Sequence, residues 1–391
     1  MVVEFIQQEL NKIKEQNLFR ELRTLESKQD TWIVINGKKV LNLCSNNYLG
    51  LAFHPALKQK SIQTIKKFGC SSGASRLISG NNMLYCELEK KISEFKKTSS
   101  AVIFNSGYTA NIGVISSLMD EKSIIFSDKL NHASIIDGIL LSRAKFVRYP
   151  HKDINFLEKE IIKYKNINKK LIITDTVFSM DGDIAPLPDL VRISKKYNCL
   201  LMIDEAHATG ILGKNGRGAV EYFNLNPEDI TVHMGTFSKA MGSFGAYVCG
   251  SKDLIDFIIN KARSLIYTTA LPPSILASNI ASIEVIQEYP KLRENLWDNV
   301  NFLKSSLLEM KFNILDSQTH IIPIFTKETD ITMKFSNLLF EEGIFLAGIR
   351  PPTVPNNQAR LRLSLMATHK KHDLEFAVDK LKKIGKKLGI I

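Results

Sequence analysis

Residues 200–207 read LLMIDEAH. The apolar run predicts a short buried strand, Leu200–Ile203, that ends immediately before Asp204. Because the run is continuous rather than alternating, we expect a strand covered on both faces, as in the parallel sheets of α/β proteins. Ligands of such sheets bind beyond the carboxyl ends of the strands. The sequence therefore places an acidic side chain where a ligand would bind.

The same order of short apolar run, turn and amphipathic helix repeats from about residue 50 onward. Five further strands are predicted, at Ala101–Phe104, Ser123–Phe126, Lys145–Arg148, Leu171–Thr174 and Thr231–Met234. Helices are predicted between them, including Ala110–Leu118, Phe156–Tyr164 and Leu187–Tyr197. This alternation predicts an α/β fold with a mainly parallel sheet that helices cover on both faces.

The two ends of the chain differ from this central pattern. Residues 4–26 are predicted to form a helical arm, and two short strands follow around a turn at Asn36-Gly37. After about residue 285 we expect a long helix at Pro290–Met310, strands at His320–Phe325 and Arg360–Ser364, and helices at Ile331–Glu342 and His372–Leu388. The predicted regions are 1–45 (arm and short strands), 46–285 (large α/β domain) and 286–391 (smaller α+β domain).

Composition excludes several classes of protein. The chain has 391 residues, 44% hydrophobic and 24% charged, which is ordinary for a globular protein. It has no apolar run of about eighteen residues and no signal-peptide pattern at its N-terminus. Its cysteines form no CxxC pair, which argues against a disulfide framework or a zinc site; they are Cys44, Cys70, Cys86, Cys199 and Cys249. We expect a cytoplasmic protein without a metal or a membrane span.

The net charge of +12 raises the possibility of a nucleic-acid partner. The lysines are scattered in pairs, however, and no arginine-rich stripe with interleaved aromatic residues accompanies them. The sequence DEAH at 204–207 resembles a helicase motif, but the phosphate loop that a helicase requires is missing, and GKNGRG at 213–218 does not match it. We therefore expect no nucleic acid and interpret the charge as a solvated lysine-rich surface.

Polar residues follow each of five predicted strands. They occur in NSGYTAN (105–111), DKLNHAS (128–134), DTVFSMDGD (175–183), DEAH (204–207) and GTFSKAMGSFG (235–245). Taken singly, each is compatible with an ordinary turn, and the last with a glycine-rich hairpin that carries a solvated lysine. Together they supply what pyridoxal phosphate requires: a lysine for its aldehyde, a carboxylate for its pyridine nitrogen, and donors for its phosphate.

These segments are the basis of a family resemblance that runs over nearly the whole chain. The motifs occur in order: SNNYLGL (45–51), SGYTAN (106–111), LNHASIIDG (130–138), VFSMDGDIAPL (177–187), DEAHATGILGKNGRG (204–218), GTFSKAMGSFGAYV (235–248), YTTALPP (267–273) and RLRLSL (360–365). The chain thereby resembles the α-oxoamine synthases, which condense an amino acid with an acyl-CoA and lose CO₂. The resemblance implies fold type I of the pyridoxal-phosphate enzymes, which is aspartate-aminotransferase-like, and a homodimer with active sites at the interface.

Roles for individual residues come from this resemblance. It implies that Lys239 binds pyridoxal 5′-phosphate covalently, that Asp204 pairs with the pyridine nitrogen and that His132 stacks on the ring. It implies that His207 and Ser179 contact the ring and its phenolic oxygen. The other implied cofactor contacts are Gly107, Tyr108 and Thr236, with Thr268 and Thr269 reaching the phosphate of the neighbouring subunit. Lys239, His132, Asp204 and His207 are the catalytic candidates.

The substrates are implied by IRPPTVP (349–355) and the following ARLRLSL. These resemble the branch of the family that joins L-alanine to a pimeloyl group on CoA or on a carrier protein; the alternative is a branch such as the one that joins glycine to acetyl-CoA. The implied substrate-binding residues are Arg20, Asn46, His132, Thr353 and Arg362. One departure is Tyr85, where members of the family commonly have histidine.

Overall fold

A computed structural model describes residues 2–391 as two compact units. The central unit comprises Asn47–Ser179 and Ile184–Arg293. The terminal unit comprises the residues up to Asn46, residues 180–183 and the residues from Glu294 onward. All five cysteines of the chain are free thiols.

The helices and strands are numbered in chain order. The strands are β1 Trp32–Ile35, β2 Lys38–Asn42, β3 Ser100–Phe104, β4 Ile124–Asp128, β5 Lys145–Tyr149, β6 Lys170–Asp175, β7 Leu200–Asp204, β8 Val232–Thr236, β9 Ala246–Gly250, β10 Ile321–Lys327, β11 Ile344–Phe345, β12 Gly348–Ile349 and β13 Ala359–Ser364. The α-helices are α1 Val2–Glu15, α2 Pro55–Phe68, α3 Met83–Lys96, α4 Gly107–Leu118, α5 Ala133–Ser142, α6 Ile154–Lys163, α7 Leu187–Lys196, α8 Ala219–Tyr222, α9 Lys252–Lys261, α10 Arg263–Ile266, α11 Pro273–Glu288, α12 Lys291–Glu309, α13 Thr329–Glu341 and α14 Lys371–Lys387.

The central unit is built on a seven-stranded sheet in the order β3-β9-β8-β7-β6-β4-β5. Strands β5, β4, β6, β7 and β8 pair in parallel, whereas β9 pairs antiparallel with both β3 and β8. The predicted α/β fold with a mainly parallel sheet is confirmed, and the six predicted strands are present to within two residues at each end. Strand β9, the one strand of this sheet that reverses direction, was not predicted from the sequence.

Burial follows the apolar pattern of the strands. Every residue of β4, β6, β8 and β9 is buried, because helices cover the sheet on both faces. Helices α4 and α5 pack against the sheet through Val114, Ile115, Ile135 and Ile139. Since β4, β6, β7 and β8 run in the same direction, their carboxyl ends meet at one edge of the sheet. That edge carries the polar residues which the sequence analysis selected.

The terminal unit contains two small sheets, β1-β2-β11 and β10-β13-β12. Strands β1 and β2 form the predicted hairpin, in which Asn36 and Gly37 have φ angles of 51° and 69°. Two successive positive φ angles suit a type I′ turn, for which Asn-Gly is favoured. The indole nitrogen of Trp32 donates to Asp373 at 2.8 Å, which joins β1 to α14.

The N-terminal helix is shorter than predicted. The arm was expected over residues 4–26, but α1 ends at Glu15. Asn17 has a left-handed φ of 55°, and the amide of Leu18 donates to the carbonyl of Ile13. These two features end the helix. The predicted helix is therefore wrong beyond Glu15. Within residues 2–391, no helix combines the length and apolar character needed to cross a membrane.

Candidate active site

A cavity of about 190 Å³ lies in the central unit, beyond the carboxyl ends of β4, β6, β7 and β8. Eight residues selected from the sequence line it: Gly107, Tyr108, His132, Ser179, Asp204, His207, Thr236 and Lys239. Six further residues complete the lining: Asn111, Ser134, Asp175, Ala206, Met234 and Ser238. All four catalytic candidates are therefore brought to one cavity, although His132 and Lys239 lie far from Asp204 and His207 in the sequence.

Asp204 ends strand β7 with its carboxylate held by two donors. Its Oδ2 accepts from Nδ2 of Asn111 at 2.9 Å, and its Oδ1 accepts from the amide of Ala206 at 2.9 Å. The side chain is buried. Because both bonds fix the carboxylate while it lines the cavity, Asp204 is suited to pair with a positively charged ring nitrogen.

His132 caps the N-terminus of α5. Its backbone amide donates to Oδ2 of Asp175 at 2.8 Å, and its Nδ1 lies 2.8 Å from Oγ of Ser134. Burial lowers the pKa of His132 from its ordinary value; Asp204 opposes this shift, and Lys239 adds to it. The imidazole is therefore favoured in its neutral form, whose flat face is suited to stack on an aromatic ring.

Asp175 ends strand β6 beside Asp204, as its register partner on β7. Burial, together with the negative charge of Asp204, raises the pKa of Asp175 well above its ordinary value. Two neighbouring buried carboxyl groups do not both ionise readily, because like charges repel strongly where water is excluded. The cavity thus contains one carboxyl group held by two hydrogen-bond donors and a second that favours its protonated form.

His207 is buried and is oriented by a tyrosine. Its Nδ1 lies 2.7 Å from the hydroxyl of Tyr48, which is fully buried. Tyr48 belongs to the SNNYLGL segment at 45–51, so that segment contributes to the site through His207. This contact fixes the direction of the imidazole relative to the cavity.

Lys239 lies on the loop that joins β8 to the antiparallel β9. The amide of Phe237 donates to Gly245 at 2.9 Å, and the amide of Ser243 donates to Phe237 at 2.9 Å, which closes the loop. Gly242 has a φ of 62°, and a Cβ there would press on the backbone of Leu51. The segment is therefore both a glycine-rich hairpin and the carrier of a lysine that lines the cavity.

The start of α4 and Thr236 are suited to an anionic group. The first amides of a helix have no carbonyl partner within that helix, and the side-chain oxygen of Ser106 accepts from the amide of Thr109 at 3.2 Å. In the part of the chain that the structure describes, the buried hydroxyl of Thr236 has no hydrogen-bond partner. A Cβ on Gly107 would lie 2.7 Å from Cγ2 of Thr236, so glycine keeps this corner open. These features fit the phosphate of pyridoxal phosphate.

The other residues selected from the sequence do not line this cavity. Thr268 accepts from Nδ2 of Asn105 at 3.2 Å, and Thr269 forms a β-bridge with Ser75. The remaining four, Arg20, Asn46, Thr353 and Arg362, belong to the terminal unit. There Nη1 of Arg362 donates to Oδ1 of Asn46 at 3.2 Å, and Nη2 of Arg20 donates to the carbonyl of Pro351 at 3.3 Å.

Among the residues that were not selected from the sequence, four form hydrogen bonds within the site: Tyr48, Asn111, Ser134 and Asp175. Each lies inside a segment that the sequence analysis quoted or directly at the end of a predicted strand. Asp175 ends β6 as Asp204 ends β7, and this similarity of position was the available signal. The contacts of Asn111 and Ser134 depend on how two helices pack, which the sequence pattern does not reveal.

Comparison with known proteins agrees with this geometry. The chain matches the family described as aminotransferase class I and II over residues 38–381. It is 48% identical to an 8-amino-7-oxononanoate synthase of Geobacter sulfurreducens over 385 residues, 98% of each chain. It is 50% identical to an 8-amino-7-oxononanoate synthase of Citrifermentans bemidjiense over 386 residues, 98% of this chain and 99% of that one.

A solved structure is also similar over nearly the whole chain. It is a serine palmitoyltransferase from S. paucimobilis with bound pyridoxal phosphate and myriocin, 29% identical, with a TM-score of 0.94 over 99% of this chain and 98% of that one. The chain belongs to the class I and II aminotransferase family and, within it, to the pyridoxal-phosphate-dependent α-oxoamine synthases. The predicted fold type I is confirmed.

Proposed function

We propose that the chain is a pyridoxal-phosphate-dependent acyltransferase that makes 8-amino-7-oxononanoate, in the synthesis of biotin, from L-alanine and a pimeloyl thioester. The assignment to pyridoxal-phosphate-dependent chemistry rests on one observation: Lys239, Asp204 and His132 line the same cavity. The relatives of 48% and 50% identity, matched over almost their full length, support the choice of product. The cofactor is supported by the fit of Thr236, Gly107 and Asn111 around the cavity.

The product itself defines the two substrates. 8-Amino-7-oxononanoate is a nine-carbon acid with a ketone at C7 and an amine at C8. Its C8 and C9 correspond to the α-carbon and methyl group of alanine, and C1–C7 to a seven-carbon dicarboxylic acid. The new bond joins the α-carbon of alanine to the thioester carbonyl, the thiol leaves, and the alanine carboxylate departs as CO₂. The α-carbon loses a proton at the start and gains one at the end.

The residues of the cavity can perform these steps. Pyridoxal phosphate, when bound, supplies an electron sink for negative charge at the α-carbon of the amino acid. Lys239 is the amine that removes and returns the α-proton. With the cofactor bound, the carboxylate of Asp204 would pair with its ring nitrogen, and His132 would stack on the face of its ring. The hydroxyl of Thr236 and the amides of Gly107 and Tyr108 would hold the phosphate, while His207 and Ser179 would contact the ring substituents.

The substrates are assigned to residues of the terminal unit as part of the same proposal. Asn46 and Arg362, which are hydrogen-bonded to each other, bind the carboxylate or carbonyl groups of the substrate. Arg20 and Thr353 contact the pimeloyl chain. Arginine is suited to the terminal carboxylate of that chain, because its guanidinium group can donate two parallel hydrogen bonds.

We also propose a cytoplasmic homodimer with active sites at the interface, where Thr268 and Thr269 reach the partner's phosphate site. Large apolar side chains of the central unit are exposed in the single chain, among them Leu77, Ile78, Leu140, Leu141 and Tyr267. Large exposed apolar side chains of this kind are compatible with a subunit interface. Light scattering during size-exclusion chromatography tests this: a mass of one chain at working concentration would contradict the dimer.

The deciding experiment is product identification. The purified protein is loaded with pyridoxal phosphate and supplied with L-alanine and pimeloyl-CoA, and the product is identified by mass spectrometry. We expect 8-amino-7-oxononanoate, CO₂ and free CoA in equal amounts. Parallel reactions with glycine and acetyl-CoA test the alternative branch, and pimeloyl carrier protein tests the other acyl donor. Turnover only with glycine and acetyl-CoA would refute the proposed substrates.

A further inference from the structure

A chain of hydrogen bonds in the central unit joins Asp204 to His132. We propose that Asn111 and Ser134 are positioning residues that hold the imidazole of His132 as the tautomer with its proton on Nε2. The proposal deepens the proposed function and rests on it only in assigning His132 to the face of the cofactor. Neither Asn111 nor Ser134 was selected from the sequence, and both side chains are 1% exposed.

The first link is the orientation of the Asn111 amide. Its Nδ2 donates both hydrogens, one to Oδ2 of Asp204 at 2.9 Å and one to Oγ of Ser134 at 2.9 Å. An ionised carboxylate can only accept hydrogen bonds, so it must face the NH₂ end of the amide. The charge of Asp204 therefore determines which group Asn111 presents to Ser134.

The second link is the direction of the Ser134 hydroxyl. Since Oγ of Ser134 accepts from Asn111, its own hydrogen is available to Nδ1 of His132, which lies 2.8 Å away. The backbone amide of Ser134 is also directed at Nδ1, at 3.3 Å. A hydrogen on Nδ1 would collide with that amide hydrogen. Nδ1 is therefore an acceptor, and the single proton of the neutral ring lies on Nε2.

The charged and titratable groups around His132 agree with a neutral ring. Burial lowers its pKa and Lys239 lowers it further, whereas Asp204 and Asp137 oppose the shift. Asp175 contacts the backbone amide of His132 rather than its ring. A ring with its proton on Nε2 is a hydrogen-bond donor at that atom. It is matched to a carbonyl or carboxylate oxygen of the substrate and not to an ammonium group.

The tautomer can be measured directly by solid-state ¹⁵N NMR of protein labelled at histidine, with and without pyridoxal phosphate. The chain has eight histidines, so the His132 signals are assigned by their loss in His132→Asn. We expect a protonated Nε2 and an unprotonated Nδ1 in the wild-type protein. A proton on Nδ1 in the wild-type protein would overturn the proposal, whatever the variants do.

Variants test whether the chain of hydrogen bonds sets the tautomer. Ser134→Ala and Asn111→Ala are each expected to shift the tautomer ratio roughly fivefold toward a proton on Nδ1, as the loss of one ordinary hydrogen bond predicts. Ser142→Ala is the matched control, because Ser142 is buried on the same helix and its hydroxyl donates to Ile139 at 2.6 Å. Unchanged ratios in both Ser134→Ala and Asn111→Ala would overturn the proposed role.

The test of the His132 tautomer can fail or succeed independently of the test of the proposed function. Product identification reports which substrates react, whereas the nitrogen spectrum reports where the proton of His132 lies. A protein that makes a different product and still has a proton on Nε2 would refute the substrates and support this inference. A protein that makes 8-amino-7-oxononanoate but whose His132 carries its proton on Nδ1 would support the proposed substrates and refute this inference.

Discussion

Asp175 and Asp204 are register partners at the ends of the adjacent parallel strands β6 and β7, and both carboxyl groups line the same cavity. Their hydrogen bonds differ. Asp204 accepts from Asn111 and from an amide in its own turn, whereas Asp175 accepts from the amide of His132. Two carboxyl groups with different surroundings can hold different charges, and only a charged one can support a ring nitrogen.

The two residues are therefore expected to respond differently to replacement by asparagine. Asp175→Asn should leave kcat/KM within about fivefold, because a neutral amide resembles the protonated carboxyl group and can still accept from His132. Asp204→Asn should lower kcat by at least about 100-fold, because it removes a charge that stabilises the transition state. Steady-state kinetics of both variants tests this prediction. Equal losses in the two variants would contradict the assignment of the charge to Asp204.

The stability of Asp175→Asn should depend on pH in a defined direction. In the wild-type protein the unfolded chain loses the proton of Asp175 near its ordinary pKa of 3.8, whereas the folded chain retains it to a higher pH. The free energy of unfolding therefore falls as the pH rises above that value. The variant lacks this loss of stability. Its thermal midpoint should therefore rise relative to that of the wild-type protein as the pH increases from about 4 toward neutral. A constant difference would show that the carboxyl group titrates normally.

Lys239→Ala should abolish turnover and the covalent attachment of pyridoxal phosphate. Borohydride reduction followed by mass spectrometry should detect the cofactor on the peptide around Lys239 in the wild-type protein and on no peptide of the variant. Lys252→Ala is the control, because its amine is exposed and pairs with the nearby Asp256. Turnover by Lys239→Ala at the wild-type rate would refute the role of the lysine.

The sequence was sufficient to predict the parallel strands and the residues at their ends. Leu200–Ile203 is apolar throughout and is followed by Asp204, so both the strand and its functional end are local features. Strand β9 was missed because its AYVCG sequence follows a glycine-rich loop without a helix between. Its antiparallel pairing with β3 and β8 is a long-range property, which no local pattern specifies.

The residues of the cavity likewise divide into those that local sequence features identify and those that depend on long-range contacts. Lys239 and His207 were selected because they follow predicted strands, and the family resemblance then assigned their roles. Asn111 bonds to Asp204 although 93 positions separate them, and Tyr48 bonds to His207 across 159 positions. These contacts depend on how helices and loops pack on the sheet. The roles proposed for Arg20, Asn46, Thr353 and Arg362 remain predictions.

Arg20→Ala should weaken the binding of the acyl substrate more than that of alanine. Arg20 is exposed in the terminal unit, and its Nη2 donates to the carbonyl of Pro351, two residues before Thr353. Loss of a charged donor to a carboxylate should raise KM for the pimeloyl thioester at least about tenfold. KM for alanine should change little, and the exposed Arg143→Ala serves as the control. Equal increases in both KM values would contradict the assignment.

Tyr85 departs from the family pattern, and its surroundings indicate a structural role. Its side chain is buried, its hydroxyl accepts from the amide of Leu271 at 2.7 Å, and the guanidinium of Arg76 lies 4.0 Å from its ring. Tyr85→Phe leaves that buried amide without its acceptor, which should cost about 1–3 kcal/mol of stability.

The measurement is the thermal midpoint of the cofactor-loaded protein, together with kcat. We expect Tyr85→Phe to lower the midpoint by several degrees while kcat at low temperature stays close to that of the wild-type protein, because the ring still fills its place beside Arg76. Tyr222→Phe, on an exposed side chain, should leave the midpoint unchanged. A large loss of kcat at an unchanged midpoint would instead place the Tyr85 hydroxyl in the reaction.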